Sequence, residues 1–145
     1  MQGQRAAVLP SFFARVGAED WDSLPSFFAA DIVWETGPPS VSATMPQGGK
    51  LTSVEAITEA FKAFRKHVVA KIEGVEVHQI LHDTDSPAMR ATGHGIARDG
   101  EPYHMPFVFF VDFEPGTSKI KRVNEVVDSA YAHQRIDGLM ASASA

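Results

Sequence analysis

In this chain of 145 residues, the groups best suited to moving protons are a carboxylate, Asp128, and an imidazole, His94. A carboxylate held in an apolar pocket has its pKa raised by desolvation, which suits a general acid or base near neutrality. Histidine exchanges protons at physiological pH without such help. Asp128 and His94 are therefore the expected catalytic residues, and six others are expected to contact substrate. Arg90 can hold an enolate or carboxylate oxygen, or pair with an acid such as Glu76. Tyr103 and Trp34 can wall an aromatic pocket and donate hydrogen bonds. Phe107 joins that wall, and Asn124 adds a polar contact. Glu35 replaces Asp128 as the working carboxylate if the first strand faces the other way. His78 and His82 suggest a metal, but four residues of strand span about 13 Å, too far for one ion. Neither a metal nor another cofactor is expected. No P-loop, dinucleotide glycine fingerprint or serine nucleophile elbow is present.

These roles depend on the elements that carry the residues. Residues 88–98 and 101–114 read as two strands joined at Asp99-Gly100, a two-residue hairpin signal. That loop would pair Ile96 with Tyr103, His94 with Met105, Thr92 with Phe107 and Arg90 with Phe109. Alternation then gathers Arg90, Thr92, His94, Ile96, Tyr103, Met105, Phe107, Phe109, Val111 and Phe113 on one face, with His104 on the other. A last strand over 119–133, with Phe113 opposite Ile120, would set Met105 against Asp128 and Phe109 against Asn124. His94 and Asp128 would flank Met105 with Cα atoms about 10 Å apart, close enough to reach one small molecule.

Upstream, "LPSFFA" occurs at 9–14 and 24–29 and marks two helix starts, with Pro10 and Pro25 in the first turn. "DIVWET" (31–36) reads as a strand and 37–50 as a loop rich in Pro, Gly and Ser. Thr52 and Glu55 form a capping box. Apolar residues then recur at steps of three and four from Val54 to Val68, the clearest amphipathic helix in the chain. Residues 71–81 read as a strand and "HDTDSP" (82–87) as a turn. The order is helices, a strand, a helix, then a meander: an α+β fold with helices on one face of a curved sheet.

A chain of this length makes a single domain with a real core, expected over about 5–136 with a frayed tail at 137–145. The net charge of −5 and the lack of a basic patch argue against nucleic acid or anionic membrane as partners. With no cysteine there is neither thiol catalysis nor a disulfide. No apolar run is long enough for a membrane span or signal peptide, so a cytoplasmic location is expected. "FVFFV" (107–111) is apolar on both faces, where a one-sided sheet would alternate. A second subunit is the natural cover, so a homodimer through the outer sheet face is expected.

The segments "WDSLPSFFAADIVWE", "GHGIARDGEPYHMPFVFFVDFE" and "IKRVNEVVDSAYAHQRI" together resemble the SnoaL-like group of the NTF2-like superfamily, over roughly 5–136. The resemblance implies a cone: a strongly curved sheet around a pocket closed by helices. The superfamily includes polyketide cyclases, ketosteroid isomerase, scytalone dehydratase, limonene epoxide hydrolase and non-catalytic binding domains. In SnoaL-like cyclases a histidine in a G-x-H-x-G-like strand and an aspartate in the last strand line the pocket, and His94 and Asp128 match those places. Asn124 stands where a tryptophan is common. The ending "VNEVVDSAY" looks most like fungal members linked to secondary metabolism. The resemblance thus implies a cofactor-free cyclase, isomerase or dehydratase acting on a small hydrophobic polyketide- or terpenoid-derived substrate. A non-catalytic binding or dimerisation module and a hydrolase using Asp128 to activate water are the alternatives.

Overall fold

A computed structural model describes residues 2–43, 45–81 and 85–140. Residues 82–84 of the expected 82–87 turn, with His82, and residues 141–145 of the expected tail lie outside the described residues. Helix α1 (Gln2–Gly17) leads into a 3-10 segment (Trp21–Phe27) and strand β1 (Phe28–Gly37). A short α2 (Pro39–Ser42), a 3-10 turn (Pro46–Gly49) and a two-residue β2 (Lys50–Leu51) precede α3 (Val54–His67). Strands β3 (Val69–Leu81), β4 (Ala88–Ala97), β5 (Pro102–Phe113) and β6 (Ile120–Val127) form the meander. The chain then turns helical in α4 (Ser129–Ala132) and a π-helical turn (His133–Asp137).

The six strands make one curved, unclosed sheet in the order β2-β1-β6-β5-β4-β3, antiparallel except where β1 runs parallel to β6. Alternation along each strand sends Ile32 and Trp34, Met89 and Ala91, Met105 and Phe109, and Val111 and Val123 to the concave side, where all are buried. Helices α1 and α3 fill that side, and the α1 ring of Phe12 meets Trp34 at 5.5 Å and the α3 ring of Phe61 at 5.1 Å. At roughly 25 cal/mol per Å² of apolar surface, such a cluster of fully buried rings dominates the core energetics. No helix among the described residues is long and apolar enough to cross a membrane.

Several sequence expectations are corrected here. Pro10 sits inside α1 rather than in its first turn, and Pro25 lies within the 3-10 segment, so "LPSFFA" has two different structures. The α3 cap is Ser53, whose hydroxyl accepts the Ala56 N–H at 3.0 Å, not Thr52. The last strand stops at Val127 rather than reaching 133, because Asp128 caps α4 by accepting the Tyr131 N–H at 3.0 Å.

Two register corrections matter more. The β4–β5 connection is a three-residue loop, not a two-residue one. Gly100 N–H bonds Ala97 O at 2.9 Å, and Ala97 N–H bonds Glu101 O at 2.9 Å. Gly100 takes φ +86°, the left-handed position that follows a type I turn in such loops. The extra residue shifts the pairing by one: His94 faces His104, Gly95 faces Tyr103 and Gly93 faces Met105. Side chains alternate with period two, so this slip turns Arg90, Thr92, His94 and Ile96 to the outer face. The second correction is a bulge. Phe113 does face Ile120, but Asp112 then faces Arg122, leaving Lys121 unpaired. Phe109 therefore lies opposite Glu125 rather than Asn124.

Candidate functional site

Both register shifts act on the interior. Of the expected site residues, Tyr103, Phe107 and Trp34 point into the cone. Tyr103 and Trp34 are buried, and the Phe107 ring stacks on Phe109 at 5.0 Å. The rest do not point inward. Arg90 and Asn124 are exposed on the outer face, and Glu35 lies there with its carboxylate 3.9 Å from Arg122. Asp128 is exposed and occupied as the α4 cap. His94 is on the outer face too, bonded through Nε2 to Glu76 (3.2 Å) and through Nδ1 to His104 (2.8 Å). The expected His94–Asp128 pair across Met105 is therefore not formed. Arg90 and Asp128 do meet around one outer-face groove of about 290 Å³, together with Thr92, Val108 and Val126.

The glycines around His94 have a packing cause instead. A Cβ at Gly95 would stand 2.3 Å from Lys71 O, where β3 bulges toward β4. A Cβ at Gly93 would stand 3.0 Å from the Phe107 ring. Both positions serve close approach rather than room for a ligand.

The interior carboxylate is one that the sequence reading missed. Glu125 shares the inward face of β6 with Val123 and Val127, beside Thr36 on β1 and Phe109 on β5. Thr36 Oγ1 donates to Glu125 Oε1 at 3.3 Å. Burial raises its pKa to about 7, with the Thr36 bond pulling slightly the other way. Part of the residue remains accessible, but the carboxyl itself is enclosed by protein. Tyr103, buried and near the Glu125 charge, has its phenol pushed well above the ordinary range, so its hydroxyl stays a proton donor. Its ring meets Phe64 at 6.0 Å and Tyr131 at 5.7 Å.

The C-terminal helical segment covers this end of the cone. Ala132 is buried there, Tyr131 OH accepts the His104 N–H at 2.8 Å, and Arg135 grips Asp99 of the hairpin loop through two bonds of 2.8 and 3.1 Å. Aromatic side chains otherwise fill the interior. The gap left between Phe13, Phe64, Ile72, Tyr103 and Phe107 is about 30 Å³, on the scale of a single water. Among the described residues no three His, Asp or Glu side chains converge as a metal site.

A curved, unclosed sheet wrapped on helices is an NTF2-like α+β cone. The chain matches the SnoaL-like domain over residues 10–123 and belongs to that family. The match ends two residues before Glu125. No curated protein matches the sequence. Among solved structures, TerC co-crystallised with polyporic acid is 17% identical, covers 92% of this chain and 98% of its own, and has a TM-score of 0.72. AusH from Aspergillus nidulans is 16% identical over 92% of this chain and 95% of its own, with a TM-score of 0.70. An NTF2-like protein from Burkholderia pseudomallei K96243 is 16% identical over 92% and 97%, also with a TM-score of 0.70.

Proposed function

We propose that the protein is a cofactor-free acid/base enzyme in which Glu125 transfers the proton. The observation that carries this reading is the inward carboxyl with its pKa near 7. Such a group is half protonated at neutral pH, so it can remove a proton from carbon and return it without a large mismatch in driving force. Tyr103 donates a hydrogen bond to the oxygen on which charge develops, and Thr36 holds the carboxyl in place. Trp34, Phe107 and Phe109 supply an apolar wall for a neutral, hydrophobic substrate. Cyclisation, isomerisation or dehydration of a polyketide- or terpenoid-derived intermediate of secondary metabolism fits this set. The family match supports that choice, and so does TerC, a structural neighbour co-crystallised with polyporic acid. Glu125 takes the role that the sequence assigned to Asp128, and the interior must open, by turning Phe64 or Phe107 or lifting the C-terminal segment, to admit substrate. The outer face, with Val108 and Val126 half-buried and Phe110 51% exposed, packs against a second copy of the chain.

The filled interior favours a second reading, a non-catalytic module. The deciding experiment is turnover of candidate intermediates by the wild type and by Glu125→Gln, which keeps shape and removes the titrating proton. Loss of turnover with retained ligand binding supports the enzyme. Full activity in the folded variant removes Glu125 from the reaction, and the absence of any ligand uptake by the wild type favours the module.

A further inference from the structure

The outer face carries a polar network across β3, β4 and β5 that the proposed reaction does not use. Opposed on neighbouring strands, His94 and His104 bring their Nδ1 atoms to 2.8 Å, with ring centroids 5.0 Å apart and planes at 68°. Behind His94, Glu76 Oε2 lies 3.2 Å from Nε2. Beyond that, His78 Nε2 lies 2.7 Å from Thr92 Oγ1.

Counting protons defines the pair. A carboxylate only accepts, so His94 Nε2 bears the hydrogen, and the neutral ring presents a lone pair at Nδ1. The contact with His104 is then closed by a proton on His104 Nδ1. Two ring nitrogens thus converge on one proton. A divalent cation in that proton's place would be ligated by both, while the His104 proton moves through solvent to its own Nε2, so charge and protons balance. With zinc–nitrogen bonds of about 2.0–2.1 Å at a tetrahedral angle, the nitrogens need to part to roughly 3.3 Å. Both rings sit at the surface, the His94 side chain 35% exposed, and can turn by that amount. The carboxylate behind His94 is the arrangement that fixes tautomer and raises basicity in ligating histidines.

The geometry points to a surface site for an exchangeable first-row divalent cation that favours imidazole, such as zinc, nickel or copper, ligated by His94 and His104 with Glu76 orienting His94. No third ligating side chain converges there among the described residues, so solvent fills the remaining positions.

The test is calorimetric titration of tag-free protein with zinc chloride in a non-coordinating buffer, alongside thermal unfolding. One zinc ion per chain and a saturable rise in melting temperature are expected. His94→Ala and His104→Gln should each weaken binding at least tenfold. Glu76→Gln, which removes no ligand, should weaken it by about 10–100-fold, and His133→Ala, whose imidazole bonds Asp137 instead, should leave it unchanged. Undiminished binding in the His94→Ala/His104→Gln double variant would overturn the site, as would no zinc uptake by the wild type. A readout on the unmutated protein covers variants that fail to fold. Cobalt(II) should broaden the His94 and His104 ring protons before those of His67 or His133, and the reverse order also sinks the assignment.

Discussion

At the scale of single residues, the exchange of Asp128 for Glu125 turns on what surrounds each carboxylate. Asp128 faces solvent and a helix N-terminus, and Glu125 faces rings and one hydroxyl. Glu125→Gln is expected to lower kcat by about 10²–10⁴-fold, the usual worth of a positioned acid or base. Asp128→Asn retains a capping side chain and should change kcat little, whereas Asp128→Ala should cost about 0.5–2 kcal/mol of stability in a denaturant melt. Burial of Glu125 also leaves a pH signature whose sign is fixed. The folded state holds its proton up to about pH 7, while the unfolded chain releases it near the ordinary carboxylic value of 4.5. Between those values the folded state binds more protons, so stability falls as pH rises. The full shift corresponds to at most about 3 kcal/mol, less to the extent that the partly accessible residue is solvated. Urea melts at pH 5 and pH 8 check this: the wild type should lose stability between them, and Glu125→Gln should flatten that part of the profile.

At the scale of elements, the amphipathic α3 and the order of the strands were legible because periodicity is written in every residue of an element. The parity of the meander was not. Asp99-Gly100 serves a two-residue loop or the end of a three-residue one equally well, and nothing in "IKRVNEVV" marks the unpaired Lys121. A different anchor would have found the acid. Val123 and Val127 flank Glu125 at spacing two, so an apolar face read along β6 by itself carries Glu125 inward, whatever the loop does. The same local packing makes predictions. Gly95→Ala drives a Cβ into backbone at 2.3 Å, where no side chain can yield. It should destabilise by more than the roughly 1–2 kcal/mol expected for Gly100→Ala, whose left-handed φ is the only strain in otherwise open space. Paired thermal melts of the two variants rank them. Asp99→Asn loosens the bidentate grip of Arg135 and should speed amide hydrogen exchange in α4 ahead of the strands.

At the scale of the whole molecule, an α+β fold with helices on one face of a curved sheet follows from sequence pattern, the cone from the family resemblance, and the family match agrees. What the pattern could not supply is how full the cone is. Ring contacts between α1, α3 and the strands β1 and β5 depend on three-dimensional packing that no periodicity encodes. The outer face is where the molecule remains apolar without cover. Phe110→Asp leaves the core untouched and should convert a dimer to a monomer in sedimentation experiments, with the melting curve changing only through lost association. A wild type that sediments as a monomer at all concentrations rejects the dimer.

The Arg98–Gly100 loop has one further consequence, for how this sequence can change. Surface loops ordinarily absorb the gain or loss of a residue. Here loop length sets which way an entire strand faces. Removing one residue would favour the tighter turn and rotate β4 by half a period relative to β5, sending Arg90 and His94 into the cone and Met89 and Ala91 into water. Length variation at this exposed tip should therefore be as poorly tolerated as a charge placed in the core, and Arg98 ties the same tip to the end of α3 by donating through Nε to Arg65 O at 2.9 Å.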